Sequence, residues 1–464
     1  MLSKTTLTFY GGINEIGGNK ILVEDGKTRI FLDFGKSFSK RGKYYDGFSK
    51  PRLANGIGDL LELGIIPDIK GIYRSDLLAL AGRDAKEERS VDALILSHAH
   101  SDHADHVSLL REDIPIYMGE MTKAILQSIE NERNSDIEFE ITRFKKRPIN
   151  PKEDPVARDI KTFKTGSTIK IDSITVEPVH VDHSIPGCYG FIIRTSDATL
   201  IYSGDLRSHG NRSDLTKDFV KLASKERPDV MLCEGTRIDE AAYHTEGDVF
   251  AACKFFVQQA SNAFIFADYS YKDIDRFITF YNIARETNRK ILIGIRAARY
   301  LQVLRSADPA LNVPSIEDPA IGIYKPREVK YSSEDKEFYA RHTNIWNSND
   351  VKLKEDGVIA SISSYSADEL IDIKPTSGLY IHSQSEPFSE EGELDEERTR
   401  TWLTKYGLQK VHCHCSGHGS GIELADIVNE INPKTIIPIH TKLPQLYPIL
   451  FGGKVKIVQE SLLV

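Results

Sequence analysis

The run Ser97-His98-Ala99-His100-Ser101-Asp102-His103 sets four metal-ligand side chains within six residues, directly behind the apolar stretch Ala93-Leu94-Ile95-Leu96. Such a stretch reads as a buried strand, so the ligand-rich loop leaves the end of a sheet. Imidazole nitrogens and carboxylate oxygens are ligands for zinc-like divalent ions, and a loop leaving a strand can splay alternate side chains toward two neighbouring cations. A solvated His-rich turn would account for one or two of these histidines but gives no reason to concentrate so many ligands. The expectation is a dinuclear metal site at a sheet edge, and the fold must bring further ligands to that edge.

Other apolar runs end on such residues. Arg29-Ile30-Phe31-Leu32 leads into Asp33, Thr199-Leu200-Ile201-Tyr202 leads through Ser203 and Gly204 to Asp205, and Val230-Met231-Leu232-Cys233 leads to Glu234. Thr435 to Ile439 leads to His440, and the segment Ile174 to Val181 delivers His180 and His183. An aspartate after a strand is, alone, usually a turn or cap residue. Strand ends converging on one edge are where distant ligands meet, and the joint pattern with the histidine cluster carries the weight.

On these residues the chain resembles the metallo-β-lactamase superfamily and, within it, the nucleic-acid-processing β-CASP group. Asp33 fits the first superfamily motif, His98, His100, Asp102 and His103 the second, His183 the third and Asp205 the fourth. Glu234, His418 in Ser416-Gly417-His418-Gly419-Ser420, and His440 in Pro438-Ile439-His440 fit the β-CASP additions. The opening Gly11-Gly12-Ile13-Asn14-Glu15-Ile16-Gly17 and the run His183-Ser184-Ile185-Pro186 are similar to ribonuclease J, most of all its short archaeal form.

The resemblance implies an α/β fold: a metallo-β-lactamase αββα sandwich with an inserted α/β β-CASP domain. It implies two divalent metal ions, zinc first and manganese as the alternative. His98, His100 and His183 would hold one, Asp102, His103 and His440 the other, and Asp205 would bridge. Asp33 would accept a hydrogen bond that orients a ligand. Glu234 and His418 would act on the phosphate and leaving group rather than on metal. In this family a pocket for a 5′ monophosphate lies between the domains, for which Ser270, His414, Ser416 and Gly417 are the candidates, with Ser383 and Ser385 beside the channel. His106 and His180 compete weakly for ligand roles.

The implied activity is metal-dependent, 5′-to-3′ exoribonucleolytic hydrolysis of RNA, with endonucleolytic cleavage as a second mode, in RNA turnover or maturation. The rivals are a β-CASP endoribonuclease, a DNA nuclease and a small-molecule metallo-hydrolase. DNA-directed relatives usually lack a histidine at the last motif, so His440 favours RNA. A small-molecule hydrolase would need neither the insertion nor the Ser-Gly-His-Gly-Ser loop.

Composition bounds the rest. A net charge of −8 argues mildly against a nucleic-acid partner, yet total charge says little about one groove, and Arg143-Phe144-Lys145-Lys146-Arg147 is locally basic. The start of the chain has no apolar core of signal-peptide length, and no run is long enough to span a membrane. A cytoplasmic protein without membrane association is expected, with a homodimer as the candidate assembly. The five cysteines are scattered without a framework and read as buried thiols. In His412-Cys413-His414-Cys415, period two would set cysteines and histidines on opposite faces of a strand.

The metal motifs other than His440 precede about residue 235, so something is inserted before the end. Strand-like runs Ala263 to Phe266 and Lys290 to Ile293 alternate with helical patterns around Ile274 to Ala284 and Ala297 to Leu304, which suggests a parallel α/β domain. The expected division is 1–235 and 403–464 for the metallo-β-lactamase domain and 236–402 for the insertion. Glu386 to Glu397 reads as the exposed start of a helix running through Trp402.

Overall fold

The computed structural model describes the backbone of residues 5–45, 48–132, 137–327, 330–361, 364–385, 390–459 and 461–463 of the 464. The chain forms two compact units, one of residues 1–208, 212–242 and 417–464, the other of residues 209–211 and 243–416.

The first unit is built on two sheets. One has seven strands in the order Ser461–Leu463, Thr5–Gly11, Lys20–Asp25, Thr28–Leu32, Ala93–Leu96, Ile116–Gly119 and Ile160–Phe163. The other has six, in the order Thr435–Ile439, Val230–Glu234, Thr199–Tyr202, Tyr189–Arg194, Ile174–His180 and Ile169–Ile171. Thr5–Gly11 alternates buried and half-buried residues, so Leu7 and Phe9 face inward, as the period of a strand requires. Ala93–Leu96 is buried on both faces, which is why it reads as a continuous apolar run. Leu7, Ile21 and Ile95 of the first sheet share one core with Phe191, Leu200, Leu232 and Ile437 of the second. Helix Glu120–Glu132 packs on the first sheet, and Ser213–Lys225 packs on the second and on Gly421–Ile431. This layering is the expected metallo-β-lactamase sandwich.

The second unit carries a seven-stranded sheet in the order Ile345–Trp346, Ile321–Tyr324, Lys290–Gly294, Val358–Ser361, Phe264–Asp268, Gly378–His382 and Leu408–His412. Every pairing in it is parallel. The expected strands near 263–266 and 290–293 are present as Phe264–Asp268 and Lys290–Gly294, and the helical patterns as Ile274–Glu286 and Ile295–Ala307. Helix Glu246–Gln259 opens on a capping box in which Thr245 and Asp248 satisfy each other's backbone N–H groups.

A boundary after residue 402 would fall inside the helix Glu390–Lys405, whose Leu403 is buried in the core of the second unit with Phe264, Tyr380 and Leu408. Cutting there would strip an apolar face from that core, and the units divide at Ser416 and Gly417 instead. Glu386, the expected start of this helix, lies outside the described residues. Among the described residues no helix is long and apolar enough to cross a membrane.

Candidate metal centre

The ligand candidates leave the carboxyl ends of strands in both sheets of the first unit. His98 to His103 follow Ala93–Leu96, Asp33 follows Thr28–Leu32, His183 follows Ile174–His180, and Asp205 follows Thr199–Tyr202. Glu234 ends its strand and His440 follows Thr435–Ile439. Two of these turns are left-handed at residues with a side chain, Asp33 at φ 56° and His440 at φ 50°. Such conformations are uncommon outside glycine and persist where the surroundings hold them. The Asp33 carboxylate takes part in four hydrogen bonds, and the His440 N–H donates to the Gly12 carbonyl at 2.6 Å.

The side chains close on Asp205. Its Oδ2 lies 3.2 Å from His103 Nε2, 3.5 Å from His98 Nε2, 3.7 Å from His440 Nε2 and 3.8 Å from His183 Nε2. On one side, His100 Nδ1 is 3.1 Å from His98 Nε2 and 3.0 Å from His183 Nε2. On the other, His440 Nε2 is 3.1 Å from Asp102 Oδ2. His98, His100, His183 and Asp205 form one group whose ligand atoms all lie within 4.8 Å of one another, and Asp102, His103 and His440 form another. Asp205, Glu234, His418 and His440 form a third by the same measure.

The arrangement fits divalent ions. His103 Nε2 and Asp205 Oδ1 are buried without a hydrogen bond, and an orphaned buried nitrogen or carboxylate oxygen is costly unless something binds it. In the neutral rings the nitrogens facing inward are lone pairs, because the outward nitrogens serve as donors. His103 Nδ1 donates to Asp33 at 2.7 Å, His440 Nδ1 to the Thr236 hydroxyl at 2.8 Å, His183 Nδ1 to the Gly417 carbonyl, and His98 Nδ1 to Ser97 Oγ at 3.0 Å. Such partners set the tautomer and aim the ring. Imidazole with carboxylate is a donor set suited to zinc and manganese.

The electrostatics follow the packing. Burial holds His98 and His183 well below the usual histidine range, which keeps their lone pairs available. Burial alone would raise Asp205, but His103, His440 and His418 outweigh it and hold the carboxyl well below the usual range. Asp102 is likewise lowered against its burial, chiefly by His440.

Glu234 is fully buried and accepts from the Leu206 N–H at 3.0 Å, the Thr236 N–H at 3.1 Å and His418 Nδ1 at 3.1 Å. Burial works to lower His418, but the Glu234 carboxylate prevails and raises it to about 9. The His418 Nδ1 is 4.0 Å from Asp205 Oδ2, at the rim of the cluster.

Three supports escaped the motif reading: Ser97, Thr236 and the Gly417 carbonyl. Ser97 and Thr236 are ordinary hydroxyls in sequence, and only their place one or two residues from a ligand or from Glu234 could have marked them. Gly35 is another. A Cβ there would lie 1.6 Å from the Asp102 carbonyl oxygen, and one on Gly17, at φ 77°, would lie 2.5 Å from the Asp102 side chain. Both glycines let the backbone press against the ligand loop.

Comparison with known proteins bears on the fold. Residues 67–260 match the β-lactamase superfamily domain. That match spans less than half of the chain. Over 94% of its length the chain is 22% identical to ribonuclease J of Mycoplasma pneumoniae, covering 68% of that protein. It is 23% identical to ribonuclease J of Helicobacter pylori and 24% to that of Pyrococcus abyssi, again over 94% of the chain, covering 55% and 89% of those proteins. It thus spans little more than half of the Helicobacter relative. A crystal structure of a protein of unknown function from Enterococcus faecalis shares the fold, with a TM-score of 0.75, 22% identity and full coverage of both chains.

The remaining candidates lie elsewhere. His106 is buried in the short 3-10 turn Asp105–Leu109 and joins none of the metal groups. His180 ends its strand beside Thr165 and stacks on Tyr189. Ser270, His414 and Ser416 belong to the second unit, and Gly417 opens the last stretch of the first. His414 faces Arg276 at 3.2 Å and Ser385 at 3.3 Å, and Arg276 also donates to Ser383. All five cysteines are buried and free. Cys413 and Cys415 are buried while His412 is exposed, so burial alternates although the strand ends at His412.

Proposed function

We propose that the protein is a metal-dependent ribonuclease that hydrolyses RNA phosphodiesters from the 5′ end, with endonucleolytic cleavage as a second mode, in cytoplasmic RNA turnover or maturation. The observation that carries this reading is one carboxylate, Asp205, set between two histidine groups, with the buried Glu234–His418 pair at their rim. Similarity to proteins named ribonuclease J along nearly the whole chain supports RNA as the substrate.

His98, His100 and His183 would hold one ion, Asp102, His103 and His440 a second, and Asp205 would touch both. When bound, such ions supply Lewis acidity toward a phosphoryl oxygen and lower the pKa of water to about 7. The chain's own residues do the rest. Asp33 and Thr236 fix the His103 and His440 rings, so their lone pairs stay aimed inward. Glu234 accepts a hydrogen bond from the Nδ1–H of His418, which leaves Nε2 to hold a proton toward a phosphate oxygen or the leaving oxygen. Ser270, His414, Ser416 and the Gly417 backbone are the candidates for holding a terminal 5′ phosphate, whose oxygens accept charge-assisted hydrogen bonds.

RNA of defined sequence, labelled at either end and digested with and without a chelator, tests the reading. Metal-dependent release of mononucleotides in order from the 5′ end is expected. Chelator-resistant cleavage, or cleavage of DNA with RNA left intact, would overturn it.

A further inference from the structure

The second unit carries a polar row that the proposed chemistry does not use. Strands Phe264–Asp268, Gly378–His382 and Leu408–His412 are parallel neighbours ending in register, with Asp268 opposite His382 and His382 opposite His412. Paired residues on adjacent strands share a face, and carboxyl ends of parallel strands are where α/β sheets take ligands. Asp268 is buried and accepts from the Tyr380 hydroxyl at 2.5 Å, Gln384 Nε2 at 2.8 Å and His382 Nδ1 at 3.2 Å. His412 stands beside His382 with ring centroids 5.4 Å apart, and its Nε2 donates to the Gln384 carbonyl at 3.0 Å.

The carboxylate decides the tautomer of His382. Because Asp268 can only accept, Nδ1 carries a proton, and in the neutral ring Nε2 presents a lone pair. Among the described residues nothing hydrogen-bonds that nitrogen, and the side chain keeps 17% of its exposure. A phosphate oxygen arriving there would meet a lone pair with a buried carboxylate behind it. A hydroxyl donor meets neither obstacle. Base N–H donors change with sequence, whereas every RNA nucleotide carries a 2′-hydroxyl, the group that separates RNA from DNA.

We infer that His382, aimed by Asp268, accepts a hydrogen bond from a ribose 2′-hydroxyl and is a specificity-determining residue for RNA over DNA. This rests on the ribonuclease reading, and the test separates the two. The metal-loaded His418→Ala protein serves as a slow-turnover parent. Its binding to matched single-stranded RNA and DNA oligonucleotides with 5′ monophosphates is read by fluorescence anisotropy. Adding His382→Ala is expected to weaken RNA binding about three- to tenfold, the scale of one hydrogen bond, while DNA binding stays within about twofold. Unchanged DNA affinity also reports an intact fold. His382→Gln, which restores an acceptor oxygen, should recover part of the loss. If RNA and DNA affinities fall together, or neither falls, the assignment is overturned while the parent's RNA binding leaves the ribonuclease reading standing. A parent that binds no RNA sinks both.

Discussion

Asp205 is the residue on which the proposed centre turns, because its Oδ2 is within 3.8 Å of four imidazole nitrogens. Asp205→Ala is expected to abolish measurable hydrolysis and lower the bound-metal content while the far-ultraviolet circular dichroism is kept. Elemental analysis beside the cleavage assay checks it, and a variant with normal metal and normal rate would refute the bridging role. His418 and His440 are both histidines at the rim of one cluster, yet their outer nitrogens meet different partners, a buried carboxylate and a threonine hydroxyl. His418→Ala should keep both metals and lose about 10²- to 10⁴-fold in rate, the range of one general acid or base. His440→Ala should disturb metal occupancy itself. Identical metal content in the two variants would show that their roles do not differ as proposed.

At the scale of elements, the His418 loop is anchored by the helix that follows it. Ser420 caps helix Gly421–Ile431 in a reciprocal capping box with Glu423, and the other oxygen of Glu423 accepts the Ser208 N–H at 2.9 Å. Ser420→Ala removes the side-chain acceptor for a buried N–H. A loss of about 1 kcal/mol of stability is expected from the cap alone, measured by denaturant titration. Because Gly419 and His418 precede the cap directly, kcat should fall further than metal content does. Equal rates in the variant and the parent would show that the cap does not position His418.

At the scale of the molecule, a cluster of buried histidines and carboxylates from six strand ends should be costly to assemble without cations between them. Metal removal by a chelator is expected to lower Tm by several degrees and to make Tm depend on metal concentration, as for any ligand that binds the folded state alone. Calorimetric scans with and without added zinc or manganese measure this, and a Tm indifferent to chelation would contradict a metal-loaded centre. For RNA ends, 5′-monophosphorylated substrate should be degraded fastest, and replacing Ser270 and Ser416 together should narrow its advantage over 5′-hydroxyl RNA. Equal rates on monophosphate, triphosphate and hydroxyl ends, with products of mixed length from the outset, would replace the exonucleolytic mode with an endonucleolytic one.

Resemblance to known motifs supplied the sandwich, while local order in the chain was enough to read the parallel insertion and the ligand candidates. Apolar runs such as Ala93–Leu96 mark buried strands, and strands closing on one edge leave few places for His98, His100, Asp102 and His103 except together. What local order could not supply was the set of groups that meets these ligands from far along the chain. The partners of His103 and His440, Asp33 and Thr236, lie 70 and 204 positions away, and Gly417 reaches His183 across 234. A hydroxyl or a backbone carbonyl carries no signature of such a role until the fold brings it within 3 Å. The second boundary was hidden for the same reason, since only packing shows that Leu403 belongs to the core of Phe264 and Tyr380. Strand register, likewise a tertiary property, is what sets Asp268, His382 and His412 side by side. Residue types and their spacing thus determined which chemistry the chain can host, while tertiary structure decided the orientation of each ring, because hydrogen bonds between distant segments select the tautomer and rotamer that sequence neighbours leave free.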